Sequence, residues 1–227
     1  HPTEIKAVID SARQVYGDRK IIYVGSPGRD SVISYDLSTK KVLKEYFISD
    51  KWSINKKDNH HVNDPFVYGD SLYVSMFSFS GNWMNEVYDG GVLEIDLNSG
   101  KILEPVFSNM WMPHSITRVN GKLTFLNSML GELYHASYGM ICKTNGFARG
   151  LAHDGKYFYI GTTEHRYPEK LKGISNNIGL DTGFYGELAL TCSAPSNVDG
   201  CTLFSQGNST ALADTSRGTG YHTDFTF

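Results

Sequence analysis

Two stretches, Val32-Ile-Ser-Tyr-Asp-Leu-Ser-Thr-Lys-Lys-Val42 and Val92-Leu-Glu-Ile-Asp-Leu-Asn-Ser-Gly-Lys-Ile102, decide the fold, because they are one phrase written twice. Each runs apolar, apolar, polar, apolar, Asp-Leu, turn, Lys, apolar, and Asp36 falls on Asp96. Apolar residues at a period of two mark a strand with one face buried. Ser38-Thr39 and Asn98-Ser99-Gly100 tolerate the left-handed backbone of a tight turn. Each phrase therefore predicts a β-hairpin.

A second phrase, a Gly or Asp-Gly turn followed by an apolar and aromatic strand, recurs more often. Its copies are Gly17-Asp-Arg-Lys-Ile-Ile-Tyr-Val-Gly25, Gly69-Asp-Ser-Leu-Tyr-Val-Ser75, Asn120-Gly-Lys-Leu-Thr-Phe-Leu126, Asp154-Gly-Lys-Tyr-Phe-Tyr-Ile-Gly161 and Asp199-Gly-Cys-Thr-Leu-Phe204. The spacing of about 35 to 50 residues suits one four-stranded sheet per copy, the size of a propeller blade. A β-sandwich has no need of a repeated phrase. The expectation is an all-β chain, residues 1–227 forming one β-propeller domain of five blades. Within 1–17, the spacing of Ile5, Val8, Ile9, Ala12 and Val15 behind Thr3 predicts a short N-terminal helix. Segment 191–227 is the candidate closing blade, with Gly220 to Phe227 as its closing strand.

Composition narrows the function. The chain has 227 residues, with 21 Lys+Arg against 24 Asp+Glu, and 40% apolar, 13% aromatic and 20% charged residues. A net charge of -3 without a dense basic run argues against nucleic acid as a partner. No apolar stretch approaches the roughly 20 residues of a membrane helix, so no membrane span is expected. Residue 1 is His, and no charged-then-apolar leader follows it, which reads as a processed or trimmed start. Cys142 stands alone, while Cys192 and Cys201 bracket a turn-rich stretch suited to a small disulfide loop. That pair favours a secreted or periplasmic setting over the cytoplasm. The spacing of the three cysteines does not match a structural zinc site.

In a propeller the inner strands direct residues from different blades toward one axis. Ahead of the recurring phrases stand Asn63-Asp64, His114-Ser115 and Ala148-Arg149. Different functional groups at related positions suggest a polar central pocket with Asp64, His114 and Arg149 as the catalytic set. A carboxylate activates water, an imidazole relays a proton, and a guanidinium holds an anion or a sugar hydroxyl. Of His60 and His61, adjacent in an extended strand, only one faces the channel, and His61 is the candidate. His61, Asn63 and Ser115, with Trp83 and Glu86 in the aromatic stretch Phe77–Tyr88 and Glu164 in a second long connection, complete the ligand-binding candidates. Each also has a plain structural reading: Asn63-Asp64-Pro65 as a turn, His114 as a satisfied core histidine, Trp83 as a loop closing on itself. The function expected is binding of a sugar or other hydroxylated small molecule, with hydrolysis as a further activity and room for a divalent metal in the channel. The alternative is a non-catalytic propeller docking a protein or glycan through rim loops around Trp83 and Tyr167, with self-assembly left open.

Three resemblances bear on this reading. The run Met112-Pro-His-Ser-Ile-Thr-Arg-Val-Asn-Gly-Lys-Leu-Thr-Phe-Leu-Asn-Ser-Met-Leu-Gly-Glu-Leu133, followed by Gly146-Phe-Ala-Arg-Gly-Leu-Ala-His-Asp-Gly155, resembles a family of uncharacterised bacterial β-propeller-like proteins. It implies the fold and no activity. Asp64-Pro65 ahead of Tyr68-Gly-Asp-Ser-Leu-Tyr-Val74 is more loosely similar to five-bladed glycoside hydrolases acting on furanosides, and that likeness implies Asp64 as the base. Such enzymes also need a carboxylic acid on another blade, for which Glu86, Glu132 and Glu164 are the candidates. His1-Pro-Thr-Glu-Ile-Lys-Ala7 resembles the start of the C-terminal domain of Mur-type ligases, but the chain has no G-x-x-x-x-G-K-[ST] phosphate loop to run ATP chemistry.

Overall fold

The computed structural model describes residues 21–163, apart from 145 and 156, together with the backbone of 189–193 and 201–204. Four antiparallel sheets follow one another along this chain. The first holds β1 (Ile21–Ser26), β2 (Ser31–Asp36) and β3 (Lys41–Phe47). A short helix, α1 (Lys51–Asn55), leads into the second, made of β4 (Val62–Tyr68), β5 (Ser71–Met76), β6 (Gly90–Asp96) and β7 (Phe107–Met110). The third contains β8 (Pro113–Val119), β9 (Lys122–Asn127), β10 (Glu132–His135) and β11 (Gly139–Lys143). The fourth contains β12 (Phe147–His153), β13 (Tyr157–Thr163), β14 (Ala189–Ser193) and β15 (Cys201–Phe204).

The cores lie between the sheets. Alternation along β5 sends Leu72, Val74 and Met76 toward Val32 and Tyr46 of the first sheet, and Tyr73 toward Ile116, Leu123 and Phe125 of the third. Along β9, Leu123 and Phe125 face backward, while Leu126 packs forward on Ala148, Phe158 and Ile160 of the fourth. The second and third sheets are thus buried on both faces by their neighbours in the chain. β1 runs beside β4, β4 and β5 beside β8, and β8 and β9 beside β12. Successive antiparallel sheets, four-stranded after the three-stranded first, stacked face to face with their first strands gathered on one side, make the chain a β-propeller. A two-sheet sandwich has one core between sheets where the described residues have three.

The repeated phrases acquire physical roles. Asp36 Oδ1 accepts the Ser38 and Thr39 amides at 2.7 and 3.1 Å, and Asp96 Oδ1 accepts the Ser99 amide at 2.6 Å. The shared Asp therefore tightens the β2–β3 turn and the turn after β6. Lys40 and Gly100 take the left-handed position, at φ +57° and +77°.

The strand of the second phrase is not the innermost one. β5, β9 and β13 are second strands, and β4, β8 and β12, which precede them, are the inner ones. Since β2 matches β6, the strands β1 to β3 correspond to β5 to β7, and no counterpart of β4 is present in the first sheet among the described residues. The copy at Asp199–Phe204 does not open a new sheet: β15 is the outer strand of the fourth, with Cys201 opposite Cys192 of β14 in the backbone register. The helix expected at Thr3–Val15, the closing strand at Gly220–Phe227, and Glu164 and Tyr167 lie outside the described residues.

One buried carboxylate ties the first sheet to the connection entering the second. Asp30, fully buried between β1 and β2, accepts the Asn59 amide at 2.9 Å, Asn59 Nδ2 at 2.7 Å and the His60 amide at 2.8 Å. Replacing Asp30 by Ala strands these donors away from water. The variant is expected to lose about 3 kcal/mol, a melting point lower by roughly 6 to 12 °C, measured by calorimetry. Cys142, buried between the third and fourth sheets, has its thiol pushed up to about 12 by burial. It is expected to resist iodoacetamide in the native protein at neutral pH and to react at once in denaturant, read by mass spectrometry.

Candidate functional site

The three inner strands share a defect near one end. Each carries a β-bulge, two residues set against one: Asn63-Asp64 in β4, Ser115-Ile116 in β8 and Arg149-Gly150 in β12. A bulge turns backbone amides and carbonyls out of the ladder and re-aims side chains. Here the freed groups join neighbouring blades. The Ser115 amide donates to Asp64 Oδ2 at 2.6 Å, and the Gly150 amide donates to Ser115 Oγ at 3.0 Å. The Asp64 amide in turn donates to Ser75 Oγ at 3.1 Å.

The expected catalytic residues Asp64, His114 and Arg149 lie on or beside these bulges, and two of them have protein partners. Asp64 and Ser115 are engaged in holding blades together. His114 is 2% exposed, its Nδ1 between the Met112 carbonyl at 2.8 Å and Ser128 Oγ at 2.9 Å. A carbonyl only accepts, so Nδ1 carries the proton. Phe77 and Phe147 meet the His114 ring edge-on, at 5.4 and 5.6 Å. Arg149 is half-buried on the β12 bulge and makes no ion pair with Asp64.

His60 and His61 point in different directions, as adjacent residues should. His60 is buried, with Ser49 Oγ on Nε2 at 2.7 Å and the Ser78 carbonyl on Nδ1 at 2.8 Å, a satisfied structural histidine. His61 joins a residue not singled out in the sequence, Asp58. The His61 amide donates to Asp58 Oδ1 at 2.9 Å, and Nδ1 meets Oδ2 at 2.5 Å. Phe77 and Trp83 close on the ring, each with its centroid 4.3 Å away, and Trp83 Nε1 donates to the Asp58 carbonyl at 3.0 Å. The Asp-x-x-His spacing was the readable signal, because a carboxylate three residues ahead of an amide closes an Asx-type turn.

Outside this group, a cleft of about 330 Å³ opens between α1 and the loop at 81–85, lined by Lys51, Asn55, Lys57, Asp58, Asn82 and Asn85 among others. Ile54 and Met84 stand exposed on its rim. Lys51 Nζ donates to the Ser80 carbonyl, stitching the helix to the loop. Asp89 anchors the other end of that loop, accepting Ser78 Oγ at 2.5 Å and the Ser80 amide at 3.1 Å. Burial pushes the Asp89 carboxyl up, but these bonds outweigh it and hold it below the usual carboxylate range. Glu86 is exposed at φ +64°, where it ends the Trp83–Asn85 turn. Glu132 lies in β10, the third strand of its sheet, and is buried against Asn127 Nδ2 at 2.8 Å and Lys143 Nζ at 3.5 Å. Neither supplies an acid facing Asp64 across two inner strands. No three His, Cys, Asp or Glu side chains converge on one point among the described residues, which leaves the channel metal without a ligand set there.

The family described as a domain of unknown function (DUF4915) matches residues 31–183. No curated protein matches the chain in sequence. Among solved structures, similar chains include one in a nidogen/laminin complex, at 9% identity over 83% of this chain and 62% of that one, with a TM-score of 0.48. The computationally designed Ika4 protein is 10% identical over 64% of this chain and 81% of its own, with a TM-score of 0.42. BamB from Moraxella catarrhalis is 11% identical over 64% of this chain and 54% of its own, with a TM-score of 0.39.

Two outcomes are expected here. Since the folded Asp89 carboxyl is depressed, its contribution to loop stability is present above the unfolded value, near 3.8, and is lost as pH falls through the folded value. Trp83 fluorescence should report loosening of the loop in acid, and Ser78→Ala should move that transition to higher pH. Asp64→Ala, which leaves the Ser115 amide without its acceptor, and Ser115→Ala, which leaves the Gly150 amide without its acceptor, should each destabilise by about 1 to 2 kcal/mol, measured by urea denaturation.

Proposed function

The chain belongs to the DUF4915 family, and for this member we propose a ligand-binding propeller that holds a sugar or other hydroxylated small molecule in the cleft between α1 and the 81–85 loop. The observation that carries this reading is the cleft itself. Its volume of about 330 Å³ suits a small ligand; Asn85 brings an amide with two donors and an acceptor, and Asn82, whose Nδ2 already donates to Ser80, adds its Oδ1 as an acceptor for a hydroxyl. Lys57 adds a further donor. Ile54 and Met84 at the rim offer cover for the C–H face of a sugar ring. The commitment of Asp64, Ser115 and His114 to protein partners favours binding over hydrolysis at the axis.

A second reading, docking of a protein segment across the same rim, draws on the exposure of Ile54 at 75% and Met84 at 67%, since large apolar side chains are seldom left so open beside a cleft. A thermal-shift screen against mono- and oligosaccharides separates the two. A ligand at 100 times its Kd is expected to add about 2.7 kcal/mol, and Asn85→Ala should abolish the shift without lowering the ligand-free melting point. If no saccharide stabilises the protein, the small-ligand reading is wrong.

A further inference from the structure

The His61 imidazole is held far more firmly than a loop histidine requires. Its backbone takes the left-handed conformation at φ +50°, a strained choice for a residue with a Cβ. Both carboxylate oxygens of Asp58 are spent on it, and two aromatic rings confine its faces. Because Asp58 accepts the Nδ1 proton, the neutral ring presents Nε2 as a bare acceptor. Nε2 has no hydrogen-bond partner among the described residues, and it is not one of the buried polar atoms left unpaired, which are confined to Arg118 and His153. The side chain remains 25% exposed, so solvent reaches that edge.

We infer that Asp58 and His61 form a general-base pair that hydrolyses acyl esters, the imidazole acting on water and Asp58 positioning it. Geometry favours an ester over a glycoside. Glycoside cleavage uses two carboxyl groups, one of them protonated to release the sugar oxygen, and here Asp58 and Asp64 are both bound to protein donors. An ester needs one imidazole used twice. Water gives a proton to Nε2 as its oxygen bonds to the acyl carbon. The carbon–oxygen bond to the alcohol then breaks, its electron pair leaving with the alkoxide. The imidazolium returns the proton to that alkoxide, so ester plus water becomes carboxylic acid plus alcohol. Asp58 stabilises the imidazolium between the two transfers. Phe77 and Trp83 leave the ring edge as the open approach. Asp58 also lines the cleft, so an acylated form of a hydroxylated ligand has its alcohol portion on that side.

The test uses the whole chain with p-nitrophenyl acetate and with an O-acetylated methyl glycoside. Wild type is expected to exceed an equimolar N-acetylhistidine solution by at least about 10²-fold, with a normal solvent deuterium isotope effect. His61→Phe, which keeps the aromatic packing, should remove the excess. Asp58→Asn should lower kcat with little change in KM, a split that a purely structural role does not produce. Turnover of p-nitrophenyl acetate, whose alcohol portion carries none of the hydroxyls the cleft would hold, separates this activity from ligand binding in the cleft. A wild type no faster than N-acetylhistidine, or a His61→Phe protein that keeps its rate, overturns the inference. If His61→Phe fails to fold, carbethoxylation of wild type, located on His61 by peptide mass and reversed by hydroxylamine, decides the matter. Loss and recovery of activity support it, and retained activity overturns it.

Discussion

Everything near the axis depends on hydrogen bonds that run across the blades rather than within them. A sheet satisfies its own backbone, and apolar faces slide over one another without preferring a register, so stacked sheets need a directional contact to set their positions. The bulges of β4, β8 and β12 provide it, through the Ser115 amide on Asp64 and the Gly150 amide on Ser115 Oγ. A charge-assisted bond of this kind is among the stronger ones a backbone amide makes. Close approach is part of the same constraint. A Cβ on Gly25 of β1 would lie 2.0 Å from the Asn63 carbonyl, so only a glycine lets the first sheet reach the β4 bulge.

The rim is organised by a different set of carboxylates. Asp30 gathers the Asn59 and His60 amides, Asp58 takes His61, and Asp89 holds Ser78 and Ser80. Each is an acidic side chain replacing the ladder that a connecting segment lacks, because loop amides must be paired once water is excluded. The outcome is a rim fixed well enough to hold a cleft open beside a confined imidazole. Asp64 and Ser115 take part in the frame, while the Asp58 and His61 pair lies one loop further out.

The repeats were legible because blade geometry imposes them. Alternating Leu72, Val74 and Met76, the Asp36 and Asp96 turn caps, and the left-handed glycines at Gly69, Gly121 and Gly155 are local requirements, and local requirements leave marks in sequence. What misled was radial position. The recurring phrase records the hairpin between first and second strands, and its conspicuous half is the second strand, with buried faces on both sides. The inner strands carry bulges, and β4 and β8 a Pro as well, so their pattern is broken where it matters. Positions Asn63-Asp64, Ser115 and Arg149 still stood out as polar residues in an apolar setting.

Sequence alone determined that this chain is all-β, built from repeated antiparallel hairpins at blade spacing, and which segments hold unusual polar groups. Strand periodicity and turn chemistry act over a few residues, so they are written in order along the chain. Tertiary structure decided which of those polar groups face each other. Asp64 meets Ser115 across 51 positions of chain, and Asp30 meets His60 across 30, distances over which no pattern is imposed on the intervening residues. Whether a carboxylate is a blade latch or a partner to an open imidazole depends on what folds against it, and that is set by the stacking of sheets rather than by the residues on either side.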